Sequence, residues 1–564
     1  MRYLYFIISF CVFVFTANAQ STYTLQIESG RYQIDQEKQL IVCNIDLSVI
    51  PDLTGFDAVN LDLDQVYTLN TTPSNFTTQQ AYSVSLNDID YALYFSSVPL
   101  IHITSDEEII DDPKVPAMFT YADDQQLVTS ITGIELRGGF SQTFPKKTYD
   151  LEFWEDMSGD DSKDMQFGNL REDDDWILDA IYNEPLRFRA YSTHKLWLEI
   201  HTPHYSDEED EAKAGADVMY AELFLNNSYI GLYMLSEQVD RKQLKLKKYN
   251  DDDGIRGELY KGESWQTGNT LFYGLPAYDN TSDLWGGYEL KTPDPDDFID
   301  WSNLYNFTDF VMNSTDVDFY AQLPDQLHIE NAIDYFIFLN LLRATDNTGK
   351  NLYTGRYKQD YPYFFAPWDL DGVLGTIYDG SNENITDDIL TNGLFDRMIV
   401  DAQNPVFALM AADRWNELRQ DILSDASLDA RFNTFFDVLI NEKLYEREAL
   451  AWQNYPYDQA TKNYMEQWIT TRLSFLDDYF GAILSTPSFD LDQIAIYPNP
   501  AVNLLTITSS DAIGSPYVIY SMQGNRIMSG NITSMDHQIS TALLASGLYV
   551  ITIGENSLKF QVTK

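Results

Sequence analysis

The chain has 564 residues, with 87 acidic against 36 basic side chains and a formal net charge of −51. A chain of this length exceeds what one hydrophobic core usually supports, so two to four domains are expected. The excess of carboxylates argues against nucleic acid or an anionic membrane as a partner for most of the surface. Aromatic residues make up 14% of the chain, which favours a folded protein over a disordered one.

The first nineteen residues have the pattern of a secretory signal peptide. Arg2 supplies the positive start, residues 3–16 the apolar stretch, and Ala17-Asn18-Ala19 the small-residue cleavage site. The most apolar internal run, residues 335–342, is far below the roughly 20 residues that a membrane helix needs and suits a buried helix. The sequence therefore predicts export through the periplasm without a transmembrane anchor. Cleavage would leave Cys43 alone, which excludes an intrachain disulfide and a cysteine-rich zinc site.

Pattern changes along the chain predict three folded regions. Residues 20–96 alternate polar and apolar positions, which is typical of a β-rich region. Residues 97–482 mix strand patterns with helical periodicity, clearest over residues 464–480, and predict the main α+β domain. A linker at residues 483–492 leads to residues 493–564, whose strand formers and turn dipeptides predict a separate β-sandwich.

Polar residues suited to phosphoryl transfer follow the apolar helix pattern of the middle region. Asp346 and Asn351 have the Asp-x-x-x-x-Asn spacing by which protein kinases place a catalytic base and a metal-binding asparagine on one loop. Asp369 and Asp371 follow an aromatic strand pattern and would complete a metal site, although the sequence leaves open whether both reach the metal. Taken alone, the spacing also fits a turn stabilised by Asn and Asp side chains.

The order of these motifs resembles the CotH kinase family of spore-coat and secreted atypical kinases, over roughly residues 97–480. The matching segments include Arg-Gly-Gly at 137–139, Pro-Lys-Lys at 145–147, Asp-x-x-x-Lys-Asn at 346–351 and Trp-Asp-Leu-Asp-Gly at 368–372. The resemblance implies an atypical protein-kinase-like fold that uses ATP with Mg²⁺ or Mn²⁺. It also implies a protein Ser or Thr hydroxyl as the acceptor, with Asp346 as the catalytic base.

The resemblance assigns the remaining site residues, and the chemistry of the side chains agrees with it. Gly138 and Gly139 permit close backbone approach to phosphate, although Gly-Gly with a nearby lysine pair also fits an ordinary hairpin. Glu237 would pair with Lys147, as a kinase glutamate pairs with its phosphate-binding lysine. Phe188 stands where the family usually has Asn, so Arg187 receives no role. The predicted ATP-binding residues are Arg137, Lys146, Lys147, Glu237 and Lys261, and the predicted metal ligands are Asn351, Asp369 and Asp371.

The last seventy residues resemble the C-terminal sorting domain of bacterial type IX secretion cargo. Segments at 494–500, 504–507, 518–524, 544–551 and 560–564 carry this resemblance in order. It implies handling by the type IX machinery, export across the outer membrane to the cell surface or medium, and removal of the domain or surface attachment. The alternative is an ordinary adhesive sandwich.

Two other functions compete with an active secreted kinase. One is a non-catalytic surface structural or adhesive protein that retains the kinase-like fold, which the β-rich N-terminal region supports. The clustered carboxylates near lysines favour activity over this alternative, because a scaffold has no physical need for them. The other is a glycoside hydrolase with paired carboxylates, for which the sequence singles out no separate acid pair.

Overall fold

The computed structural model describes residues 21–252, 254–453, 457–485, 494–509, 512–554 and 556–564. The predicted signal peptide, residues 1–19, and most of the predicted linker lie outside these ranges. Within them, no helix is long and apolar enough to cross a membrane. Cys43 is a buried free thiol in the N-terminal sheet.

The N-terminal β domain is a single seven-stranded mixed sheet, which confirms the predicted β-rich region. Its strand order is β1-β4-β5-β6-β7-β3-β2, and the β1–β4 and β3–β7 pairs are parallel. Alternate side chains of β4 and β5 are buried, as expected for strands with one face on a core. The strands are β1 (Thr22–Gln26), β2 (Tyr32–Asp35), β3 (Leu40–Cys43), β4 (Ala58–Asp62), β5 (Val66–Leu69), β6 (Tyr82–Leu86) and β7 (Ile89–Phe95).

A closed barrel of seven strands follows, in the order β10-β11-β14-β16-β15-β8-β9. Aromatic rings fill its interior; for example, the rings of Phe119 and Phe153 lie 4.9 Å apart. Beside the barrel strands lies one short hairpin, β12–β13. The strands are β8 (Leu100–Thr104), β9 (Val115–Ala122), β10 (Leu127–Leu136), β11 (Tyr149–Trp154), β12 (Met165–Gln166), β13 (Glu172–Asp173), β14 (Asp175–Asp179), β15 (Val218–Leu225) and β16 (Ser228–Ser236).

Helices and a five-stranded sheet of order β18-β19-β17-β20-β21 form the second half of the α+β region. Every residue of α4 except Glu330 is buried, which explains why its sequence is apolar on all sides. Helix α9 continues to Ser485, past the start of the predicted linker. The strands are β17 (Glu258–Gly262), β18 (Leu284–Trp285), β19 (Tyr288–Thr292), β20 (Leu352–Arg356) and β21 (Tyr363–Pro367).

The helices of this region surround α4, which contacts α1, α6, α9 and strand β21. Helix α5 passes directly into a π-helical turn at Asp396–Val400. The helices are α1 (Arg189–Ile200), α2 (Ser302–Asn313), α3 (Asp316–Gln326), α4 (Ile329–Leu342), α5 (Gly393–Phe395), α6 (Val406–Gln420), α7 (Asp425–Asn441), α8 (Leu444–Ala451) and α9 (Gln459–Ser485).

The C-terminal region is a β-sandwich of two sheets with the orders β22-β23-β26 and β25-β24-β27-β28. Buried apolar side chains from both sheets, among them Leu505 and Ile551, form its core. The strands are β22 (Ala495–Tyr497), β23 (Leu504–Thr508), β24 (Pro516–Ser521), β25 (Arg526–Asn531), β26 (Asp536–Ser540), β27 (Gly547–Ile553) and β28 (Asn556–Val562).

The sandwich docks on the helices through the β24–β25 turn. The Tyr520 hydroxyl donates a hydrogen bond to the carbonyl of Tyr320 at 2.6 Å, and Lys559 forms a 2.6 Å ion pair with Asp413. Gly524 at the turn has a φ of +79°, and a Cβ there would lie 2.7 Å from Ile329 and 2.8 Å from Met410. The close approach of this turn to α4 and α6 therefore requires glycine.

A Gly524→Ala substitution is expected to weaken this docking, because the added Cβ overlaps side chains of α4 and α6. Small-angle X-ray scattering of the full-length protein should show a larger radius of gyration. Gly514→Ala is the matched control, since Gly514 also has a positive φ, of +93°, but has open space around its Cβ position. Scattering curves that coincide for the two variants and the wild type would contradict this role of Gly524.

Candidate active site

Several of the predicted site residues lie where the end of the barrel meets the five-stranded sheet, which we call the barrel–sheet junction, whereas Glu237 and Lys147 make other contacts. The guanidinium of Arg137, just after β10, lies 5.7 Å from the ring centroid of Trp368, just after β21. In the same region, the rings of Phe140 and Tyr378 lie 5.3 Å apart. The glycine-containing loop after β10 therefore faces the segment that carries Asp369 and Asp371.

The loop from Asp346 to Asn351 is held against the end of β21. Asp346 begins a 3-10 turn shortly after α4, and its carboxylate lies 3.5 Å from the ammonium of Lys350. The amide of Asn347 donates hydrogen bonds of 2.7 Å to the carbonyls of both Asn351 and Trp368. The backbone N–H of Trp368 donates to the carbonyl of Asn351 at 3.0 Å. Asn351 and Asp369 thus lie at the same end of the β20–β21 pair.

Asp369 lies within a field of charged groups while its side chain remains accessible to solvent. Desolvation by the surrounding protein, together with the carboxylates of Asp179 and Asp346, raises its pKa to about 6. The ammonium groups of Lys350 and Lys261 act in the opposite direction. The carboxylate of Asp369 therefore faces both the acidic loop and two lysines.

Asp371 and Asp179 extend this acidic group into the barrel. Desolvation and the nearby charges of Asp369 and Asp179 raise the pKa of Asp371 well above its usual range, against a hydrogen bond with Asn183. Desolvation also raises the pKa of Asp179, although Lys146 and Arg137 lower it. Asp179 thus lies between the basic and the acidic groups of the junction.

Sequence reasoning assigned no role to Asp179, which ends strand β14. The sequence contains a signal for this residue, because Asp179 is a charged residue that directly follows the buried apolar run Trp176–Leu178 at the end of the strand. The Asp179 carboxylate accepts hydrogen bonds from the N–H of Ile181 at 3.0 Å and from the hydroxyl of Thr148 at 3.3 Å. These bonds fix its orientation towards the junction.

Lys146 is fully buried and pairs with Glu448 of α8 at 2.8 Å. Its ammonium also donates to the carbonyl of Leu232 and lies 4.5 Å from the ring centroid of Tyr233. Arg187 reaches the same Glu448 oxygen at 3.0 Å. Burial and the charge of Arg187 together lower the pKa of Lys146 to about 8, in spite of the opposing effect of Glu448. Desolvation acts to raise the pKa of Glu448, but Lys146 and Arg187 outweigh it and hold that pKa below its usual value.

The predicted pairing of Glu237 with Lys147 is wrong. The Lys147 ammonium donates to the carbonyls of Gln142 at 2.7 Å and Phe144 at 2.6 Å, and so closes its own loop. Glu237 is buried and accepts hydrogen bonds from Lys213 and Gln243. The ion pair that this segment does form joins Lys146 to Glu448.

Two further charged groups lie near the junction or beside the barrel: Lys261 and a cluster of three carboxylates. Lys261 in β17 forms an ion pair with Glu263 and lies close enough to Asp369 to lower its pKa. Among the described residues, one group of three carboxylates has oxygens within 4.8 Å of one another. Its ammonium partner is Lys242, so it already holds a cationic side chain. These carboxylates are Asp164, Asp173 and Asp174.

In the described part of the chain, no three carboxylates of the junction have oxygens as close to one another as those of Asp164, Asp173 and Asp174. Asp369 and Asp371 offer carboxylate oxygens, and Asn351 offers a carboxamide oxygen. Such hard oxygen donors suit Mg²⁺ or Mn²⁺. The donor chemistry therefore fits the expected cation.

Replacing Glu448 with Gln should destabilise the protein, because the charges of Lys146 and Arg187 would remain buried without their carboxylate. Loss of one partner from a buried ion pair typically costs about 3–5 kcal/mol of unfolding free energy, which urea denaturation would measure. Glu446→Gln on the same helix is the matched control: its exposed pair with Lys443 predicts a change below about 1 kcal/mol. Equal stability of the two variants would contradict a structural role for the buried pair.

Comparison with known protein families gives two matches along the chain. The CotH kinase protein family model matches residues 134–476. The secretion system C-terminal sorting domain model matches residues 495–564, which confirms the predicted export of the protein to the cell surface or the outside. A comparison with curated proteins found no match. The first match covers more than half of the chain and begins in β10. It includes Arg137, the Asp346–Asn351 loop and the Trp-Asp-Leu-Asp segment. The chain therefore belongs to the CotH kinase family, with a C-terminal secretion sorting domain.

Proposed function

We propose that this protein is a secreted kinase that transfers the γ-phosphate of ATP, with Mg²⁺ or Mn²⁺, to a Ser or Thr hydroxyl of a protein. The observation that carries the proposal is the meeting of two charged sets at the barrel–sheet junction. Asp346, Asp369 and Asp371 lie on the side of the five-stranded sheet, and Arg137 and Lys146 lie on the side of the barrel. Phosphoryl transfer requires such an arrangement of oxygen ligands opposite cations.

The acidic side of the junction would position the metal and the acceptor. The divalent cation would neutralise charge on the phosphate oxygens. Asn351, Asp369 and Asp371 would hold it through their oxygens. Asp346, whose side chain is 24% exposed, would accept the proton of the acceptor hydroxyl, and its ion pair with Lys350 would orient it.

The basic side would bind the phosphates. Lys146, held by Glu448, would take the glutamate-paired role that the resemblance assigned to Lys147. Arg137 is 27% exposed and pairs with Asp150, so its guanidinium is both fixed and accessible. The barrel and the helical part would then correspond to the two lobes of a kinase-like fold, with the nucleotide between them.

Phosphate transfer from γ-labelled ATP with Mg²⁺ or Mn²⁺ tests this proposal, with a protein extract of the cell surface as acceptor. Asp346→Asn and Asp369→Asn should each lower kcat by about 10²-fold or more, since a positioned base alone contributes about 10²–10⁴-fold. Asp360→Asn is the control, because Asp360 is exposed and outside the junction. Absence of label from the wild type as well as from the variants would favour the scaffold function instead.

Metal binding should weaken as the pH falls through about 6. The raised pKa of Asp369 means that this carboxyl is ionised above about pH 6 and protonated below it, and a proton on the ligand competes with the cation. Titration with Mn²⁺, followed by electron paramagnetic resonance, should show affinity dropping by up to about tenfold per pH unit below 6. In Asp369→Asn the affinity should be lower at every pH, while protonation of Asp371, whose pKa is also raised, still weakens binding on acidification; an affinity equal to that of the wild type at pH 7 would exclude Asp369 as a ligand.

A further inference from the structure

Helix α8 connects the barrel–sheet junction to the N-terminal β domain. On the barrel side, the Glu448 carboxylate accepts hydrogen bonds from Lys146 at 2.8 Å, Arg187 at 3.0 Å and the backbone N–H of Leu232 at 2.6 Å. Gly231 makes this approach possible, since a Cβ there would lie 2.1 Å from the Glu448 oxygen. The position of Glu448, and with it that of Lys146, thus depends on where α8 lies.

The neighbouring Arg447 ties α8 to the edge of the N-terminal β domain. Its guanidinium is buried and forms a 2.7 Å hydrogen bond with Glu222 of β15. It also donates to the hydroxyl of Ser96 at 3.2 Å and lies 5.0 Å from the ring centroid of Tyr94 in β7. Ser96 in turn donates to Glu222 at 2.7 Å. One buried network therefore joins the helix, the barrel and the end of the N-terminal sheet.

A second contact lies just before the helix. Glu442 accepts hydrogen bonds from the hydroxyl of Thr78 at 2.8 Å and from the backbone N–H of Ser97 at 3.0 Å. At the other end, Ala451 packs against an apolar cluster that contains Leu40 and Tyr94 of the N-terminal sheet. The N-terminal β domain thus contacts the segment just before α8, the middle of the helix and its last residue.

The same domain also holds the barrel strand that faces Glu448. The carboxylate of Asp35 accepts a hydrogen bond from the N–H of Tyr229 in β16 at 2.9 Å, and β16 carries Leu232. The N-terminal β domain therefore bridges α8 and β16, the two elements between which the Lys146–Glu448 pair lies. A helix of eight residues is too short to be stable alone, so its position is set by these contacts.

We propose that the N-terminal β domain is a positioning element of the phosphate-binding site: through Thr78, Ser96 and Tyr94 it fixes α8 so that Glu448 holds Lys146 towards the junction. The consequence for nucleotide binding rests on the proposed kinase function, whereas the mechanical coupling does not. Thr78 and Ser96 touch neither the nucleotide site nor Lys146. Thr78 acts through Glu442, just before α8, and Ser96 acts through Arg447 of α8 and Glu222 of β15.

Hydrogen exchange of the full-length protein tests the coupling directly, because the Leu232 amide bonds to Glu448 itself. In a Thr78→Val/Ser96→Ala double variant, exchange of Leu232 and of the α8 amides should become at least about fivefold faster than in the wild type. In phosphate transfer, the same variant should raise KM for ATP about three- to tenfold, with a smaller change in kcat.

Two matched variants separate coupling from general destabilisation. Thr68→Val removes a hydroxyl that bonds to Asn60 within the same sheet, and it should leave Leu232 exchange and KM unchanged. Thr78→Ser with Ser96 intact should retain wild-type values, because it keeps the hydroxyl. Unchanged Leu232 exchange in the double variant would overturn the proposal, as would faster exchange in an active enzyme with an unchanged KM. If the wild type transfers no phosphate, the proposed function fails, and Leu232 exchange alone decides the coupling.

Discussion

The buried charge cluster of Lys146, Arg187 and Glu448 is the interaction on which the arrangement of the barrel–sheet junction depends. Its members come from the segment before β11, the segment before α1, and α8, and Lys146 and Glu448 are 302 residues apart in the chain. Two cations and a carboxylate removed from water are stable only when all are paired and hydrogen-bonded. The cluster therefore constrains three distant segments to a single relative arrangement.

Local features of the fold could be predicted from the sequence. The alternation of residues 20–96 predicted the N-terminal strands, and the apolar run within α4 predicted a buried helix. The proximity of Asn351 and Trp368 could also be anticipated, because β20 and β21 are a hairpin and the two residues flank its open end. In each case the information lies within a short stretch of chain, where periodicity and turn signals act.

The basic side of the junction could not be predicted in the same way. Neighbouring residues of an extended segment point to opposite sides, so Pro145-Lys-Lys does not reveal which lysine enters the interior. The structure buries Lys146 and leaves Lys147 to close its own loop. Glu448 lies in a helical segment without any motif, and pairing across such a distance leaves no signal in a single sequence. Glu237 was the nearest candidate in the motif order, but it bonds to Lys213 instead.

The charge balance of the junction bears on how a nucleotide would bind there. Asp179, Asp346, Asp369 and Asp371 oppose Arg137, Lys146, Lys261 and Lys350, and Glu448 offsets the charge of Arg187. The junction therefore has no large excess of positive charge, and the chain as a whole has a formal net charge of −51. A nucleoside triphosphate would be repelled by such a site unless a divalent cation bridged its phosphates to the aspartates. Under the proposed function, metal and nucleotide would thus bind as one unit, and the fixed lysine would orient that unit without supplying most of the attraction.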